Sequence, residues 1–153
     1  MYDTDCEQYS CERDACPCGH HRGHGVFFAH GAISLSAGGA VPLTARYADA
    51  QCFSCSYGNI LIRRPGLYYA AVTMDVPGDC PVSTVIRLEL DNQAVCPPEI
   101  PVDTGCGGPA ANFAGHTVFH ARAGSLLKLS SLEAISLPDS GRQSFTLTLF
   151  RLN

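Results

Sequence analysis

Beyond Gly25, apolar and polar residues alternate in short runs interrupted by Gly, Pro, Asn and Asp, the pattern of a sandwich or barrel built from many strands. Val26–Leu35 sets Phe27, Ala29, Ile33 and Leu35 on one face at period two. Gly39–Arg46 and Asn59–Arg63 are shorter runs, the second alternating through Ile60 and Ile62. Leu67–Val76 follows the turn Arg64-Pro65-Gly66 and aligns Tyr68, Ala70, Val72, Met74 and Val76. In Thr84–Asp91 the residues Ile86, Leu88 and Leu90 face one way, and Arg87, Glu89 and Asp91 the other. His116–Ala121, Ser125–Ser131 and Ser144–Leu152 complete the series, the last alternating through Phe145, Leu147 and Leu149. The faces holding Ile86, Leu88, Leu90, Leu127, Leu129, Leu147 and Leu149 predict the core. Only Ser125–Leu137 also fits a helical stripe, and there the turn Ala123-Gly124-Ser125 and the helix-weakening Ser130-Ser131 favour strand.

Residues 1–25 break the pattern. They hold almost no apolar side chains, five acids against two arginines (a local charge of −3), four cysteines and the histidines His20, His21 and His24. Such a segment cannot build a core, so it reads as a connector arm in front of a single body over 26–153. Met1–Ser10 carries acids and no apolar run, so no signal peptide is expected there.

Composition narrows the partners. Hydrophobic residues make up 46% of the 153, enough for a full core. The charged share is 16%, against about 25% in ordinary soluble domains, which suits a chain that buries surface against copies of itself. A net charge of −4 leaves no basic footprint for nucleic acid. No run approaches the ~18 apolar residues of a membrane helix.

Nine cysteines are many for this length, and the odd total leaves at least one thiol free, metal-bound or paired with another chain. Cys6, Cys11, Cys16 and Cys18 lie on the reaching arm and are candidates for disulfides between subunits, with local disulfides as the alternative. Cys52, Cys55 and Cys80 read as loop cysteines that could accept such bonds. Cys96 and Cys106 bracket a Pro- and Gly-rich stretch read as a loop, and a bond between them would contribute about 2–3 kcal/mol by chain entropy. Cys52-Phe53-Ser54-Cys55 has redox spacing but lacks the strand-to-helix setting that such a site needs. Cys16, Cys18, His20, His21 and His24 have the side chains zinc prefers, although the spacing matches no standard finger; apart from that zinc alternative no cofactor is expected.

Gly39-Ala40-Val41-Pro42-Leu43, Asn59-Ile60-Leu61-Ile62, and Pro65-Gly66-Leu67-Tyr68-Tyr69 leading into a strand that ends at Val76 resemble, in this order, the complement-head and tumour-necrosis-factor-like jelly rolls. Ala123-Gly124-Ser125-Leu126-Leu127-Lys128-Leu129 ahead of Phe145–Leu152 is similar to the bacterial branch, the C-terminal domains of collagen-like glycoproteins on spore surfaces. The resemblance covers about 26–153 and implies a ten-stranded sandwich that assembles as a homotrimer. It also implies that one of Tyr68 and Tyr69 faces the core and the other the trimer axis. The collagen stalk is missing, and the arm in its place is similar in layout to the connectors of endospore appendage pilins.

His116 and His120 share a strand face with Val118 between them, open to a metal or a cleft but more in keeping with packing. No nucleophile elbow and no paired carboxylates stand out, so no enzyme is expected. The expectation is an all-β jelly-roll β-sandwich serving as a self-assembling structural subunit of an extracellular or spore-surface fibre or coat, joined by arm disulfides. The alternative is a trimeric surface head that recognises a glycan or a receptor.

Overall fold

A computed structural model describes residues 23–153, apart from the side chains of 96–98. The arm cysteines Cys6, Cys11, Cys16 and Cys18 and the histidines His20 and His21 lie outside the described residues.

Period-two runs become strands throughout, and among the described residues there is no helix. Ten strands form two five-stranded antiparallel sheets. The first runs in the order β3 (Thr44–Ala48), β1 (His24–His30), β12 (Gln143–Arg151), β6 (Gly66–Val76) and β9 (Ala111–Ala121). The second runs β4 (Phe53–Ser56), β5 (Asn59–Ile62), β10 (Leu126–Ser131), β7 (Ser83–Leu90) and β8 (Gln93–Asp103). A short ribbon pairs β2 (Ile33–Leu35) with β11 (Ile135–Leu137). Pairing of the first strand with the last, and of β5 and β7 with β10, wraps the chain into a jelly roll.

The core lies between the two sheets. Phe27, Tyr68, Ala70, Val72, Met74, Phe145, Leu147 and Leu149 project from the first, and Phe53, Ile60, Ile62, Ile86, Leu88, Leu127 and Leu129 from the second, all buried. The predicted core faces therefore hold, with Leu90 half-buried at the margin. Ser125–Leu137 is strand, turn and strand, as the serines implied. A closed ring of hydrogen bonds pins that corner. The Thr84 hydroxyl meets Ser131 Oγ at 2.8 Å, Ser131 Oγ donates to Glu133 O at 2.7 Å, and Glu133 N donates back to Thr84 Oγ1 at 3.0 Å.

Three expectations need correction. Residues 97–105, read as a loop because of their prolines and glycines, lie mostly in β8, an 11-residue strand. Proline lacks an amide donor and is tolerated on an edge strand, and β8 is an edge. Its register slips between Arg87↔Glu99 and Glu89↔Ala94, so that 95–98 stand against Leu88 alone. Secondly, Cys55 and Cys96 sit on strands, in β4 and β8, and not in loops. Thirdly, Gly39–Arg46 is not one strand. Ala40 bridges to Ser130 of the second sheet, Pro42 follows, and the chain then crosses to pair β3 with β1.

Two hairpins share one turn chemistry. Tyr57-Gly58 (φ 50° and 78°) joins β4 to β5, and Asp91-Asn92 (φ 50° and 64°) joins β7 to β8. Two consecutive positive φ values make the type I′ turn that suits the twist of paired strands.

Candidate self-association face

The outer surface of the first sheet is built by the residues that alternate with its core side chains. In β1, Phe27 and Ala29 are buried, so His24, Val26 and Phe28 face out. In β12, Phe145, Leu147 and Leu149 are buried, which turns Thr146, Thr148 and Phe150 outward. The same parity puts Tyr69, Ala71 and Thr73 of β6, and His116, Val118 and His120 of β9, on this surface.

Register lines these residues up across the strands. His24 pairs with Phe150, Phe150 with Tyr69, and Tyr69 with Val118, which makes one continuous row over four strands. Val26, Thr148, Ala71 and His116 form the next row. The His24 ring stacks on Phe150 with centroids 4.4 Å apart and planes 1° from parallel, and it lies 5.5 Å from the Tyr47 ring of β3. Tyr69 lies 6.5 Å from Phe150 and 6.1 Å from His116. Tyr47, Val118 and Phe150 remain 55%, 51% and 39% exposed, a cluster of apolar surface and not a scatter.

Charge is nearly absent from this face. Among the five strands of the sheet the only charged side chains are Arg46, Asp75 and Arg151. Arg151 turns aside to donate to Pro65 O at 2.9 and 3.2 Å, and Asp75 accepts from Asn112 at the far end of the sheet. Beyond β9 the surface drops into a groove of about 600 Å³ between the edge strands β8 and β9, lined by Glu99, Pro101, Asn112, Phe113 and His116.

Tyr68 and Tyr69 fall on opposite faces of β6. Tyr68 is fully buried and donates to Arg64 O at 2.6 Å, whereas Tyr69 lies in the aromatic row. Burial, helped by Cys52 and opposed by Arg151 and Arg64, pushes the Tyr68 phenol up to about 12.

The candidate cysteines do not gather in one place. Cys52 is buried, with Gly23 packed so closely on it that a β-carbon at Gly23 would collide with Cys52 Sγ. Burial, with Asp49 adding to it, raises the Cys52 thiol above its ordinary range. Cys55 is half-buried and raised by burial, with Sγ donating to Leu43 O at 3.3 Å. Cys80, half-buried, and Cys106, exposed, lie on neighbouring loops that Thr104 ties together. Thr104 Oγ1 donates to Cys80 O at 2.8 Å and accepts from Val82 N at 2.9 Å. Of the zinc candidates, only His24 falls among the described residues, and it is the residue stacked on Phe150. Sequence periodicity had placed His116 and His120 on one face, but not with His24 and Phe150, because only sheet order brings the first, last and ninth strands together.

No protein-family model and no curated protein sequence matches the chain. Solved structures do. Murine APRIL crystallised at pH 5.0 is 13% identical, with a TM-score of 0.64 over 86% of this chain and 99% of that one. Eiger TNF from S. frugiperda is 13% identical, with a TM-score of 0.61 over 86% and 93%. The globular domain of the zebrafish complement 1qA protein is 12% identical, with a TM-score of 0.59 over 86% and 98%. At such identities the likeness speaks for architecture alone: the body has the jelly-roll fold of tumour-necrosis-factor and complement-1q heads.

Proposed function

We propose that this chain is a non-enzymatic, extracellular recognition head that works as a self-associated unit, with copies meeting on the outer face of the first sheet. The observation that carries the reading is the row His24, Phe150, Tyr69 and Val118 with Tyr47 beside it: Tyr47, Phe150 and Val118 are exposed, His24 and Tyr69 half-buried, and the group is almost free of fixed charge. An isolated protomer leaves that row in water, and a second copy is the partner that the charge-poor composition favours. Stable association needs on the order of 800 Å² buried per protomer, which a five-strand face with a flanking groove can supply. Three copies are the stoichiometry that a head of this fold implies. A surface receptor or glycan is the class of ligand for such a unit.

Sedimentation velocity of the full chain in thiol reductant tests the reading. A species near three times the 16.3 kDa protomer is expected at micromolar concentration. A monomer persisting to ~100 micromolar, far above the affinities of stable interfaces, would contradict it.

One observation keeps a structural subunit of a fibre, coat or spore surface as a second reading. Four cysteines stand in residues 1–25, and Cys80 and Cys106 lie on loops that connect strands of the two sheets. Arms crossing to such loops would join copies covalently. Non-reducing electrophoresis separates the two readings, because a fibre subunit runs as a ladder that reductant collapses and a discrete head does not.

A further inference from the structure

Every histidine among the described residues, His24, His30, His116 and His120, stands on the outer face of the first sheet. An imidazole in water changes charge near pH ~6.5, and no other ordinary side chain does so between about pH 5 and 8. The face that carries little fixed charge thus holds the titratable groups of the body that respond in that window.

We propose that these histidines make association between copies acid-sensitive: copies hold together while the rings are neutral and separate when the rings are protonated. This rests on the reading that copies meet on this face. Neutral, His24 is one more aromatic ring in the row, flat against Phe150 and beside Tyr47. Protonated, it would carry an unpaired charge into an apolar contact, and each copy would add up to four such charges.

Among the described residues no carboxylate forms an ion pair with a histidine ring. Next to His24, the Asp49 carboxylate accepts from Gln51 N at 2.9 Å, while Asp49 N donates to His24 O. His116 shares its groove with Glu99, whose carboxylate is 3.2 Å from Arg87 Nε. His120 lies opposite Leu67, with Arg122 two residues on, and His30 lies opposite Gln143, next to Arg142. Arg46 is the remaining cation on the sheet, and Asp75 is held by Asn112. The cations oppose protonation further.

The sign follows from linkage. Burying a neutral imidazole disfavours its charged form, so the associated state binds fewer protons than separated copies. Association is therefore full above the imidazole range and weakens as pH falls through it. A one-unit depression at a single histidine is a ten-fold change in the association constant, and several histidines multiply it.

The test is sedimentation velocity of the full chain in reductant at constant ionic strength from about pH 7.5 down to 5, with circular dichroism to confirm that the strands persist. Expected are reversible dissociation with a midpoint in the imidazole range and a dissociation constant at least about ten-fold weaker at pH 5. The variant His24→Gln/His30→Gln/His116→Gln/His120→Gln should lose the pH dependence, and Asp75→Asn/Glu99→Gln should keep it. Association unchanged down to pH 5 overturns the proposal and leaves the self-association reading standing. So does pH dependence that survives in the histidine variant or vanishes in the carboxylate variant. A monomer at every pH overturns both.

Discussion

Tyr68 sets a phenol in the core, where its hydroxyl donates to Arg64 O at 2.6 Å. The folded chain holds that proton up to about 12, whereas an unfolded chain releases it near ~10. This contribution to stability is fully present below pH ~10 and is lost as pH rises through about 12. Tyr68→Phe should cost about 1 kcal/mol near neutrality through the lost hydrogen bond and should flatten the alkaline fall in stability. Urea unfolding at a series of alkaline pH values checks this, and an unchanged alkaline slope would contradict it. Tyr57 presents the opposite case, 97% exposed at a hairpin position with φ 50°. A β-carbon is disfavoured there, and asparagine is the side chain that tolerates the conformation best. Tyr57→Asn should therefore raise stability by about 0.5–1 kcal/mol, read as a higher thermal midpoint. A lower midpoint would mean that the exposed ring contributes packing which its surroundings do not reveal.

At the scale of elements, legibility followed how completely a strand was buried on one face. β6, β7 and β12 alternate cleanly because one side packs into the core and the other does not, so Leu88 and Leu147 could be placed from spacing alone, whereas which of Tyr68 and Tyr69 turns inward stayed open. β8 could not, because an edge strand pairs on one side only and tolerates the prolines and the register slip that hide its period. β4 was hidden in the same way. Its four residues, Phe53 to Ser56, are an edge whose pattern is dominated by two cysteines. Ser130-Ser131 weighed against a helix in the sequence, yet the role of Ser131 is tertiary, since it closes the ring with Thr84 and Glu133. Ser131→Ala leaves the Thr84 hydroxyl and Glu133 O without their buried partner and should cost about 1–3 kcal/mol. A chemical-denaturation midpoint within error of the parent would show that water replaces the serine without loss.

At the scale of the whole molecule, strand order creates a surface that no single segment encodes. Residues 24, 150, 69 and 118 are far apart in sequence and become neighbours only when the first and last strands pair beside β6 and β9. The alternation of β12 and of His116–Ala121 announced the outward positions, and the resemblance turned one of Tyr68 and Tyr69 away from the core. The row itself emerged only with the fold. Charge on this face should work against association. Two like charges ~8 Å apart at an effective dielectric near 20 repel by about 2 kcal/mol, whereas an imidazolium over an exposed aromatic ring gains about 0.5–1 kcal/mol. A carboxylate set permanently in the row has no such gain to offset it. The most direct measurement of the central claim is therefore the solution mass of Phe150→Asp and Tyr69→Asp beside that of Leu126→Asp, an exposed apolar site on the second sheet. Both variants in the row should sediment as folded monomers while the parent and Leu126→Asp remain associated. If the row variants keep the parent's mass, copies do not meet on this face.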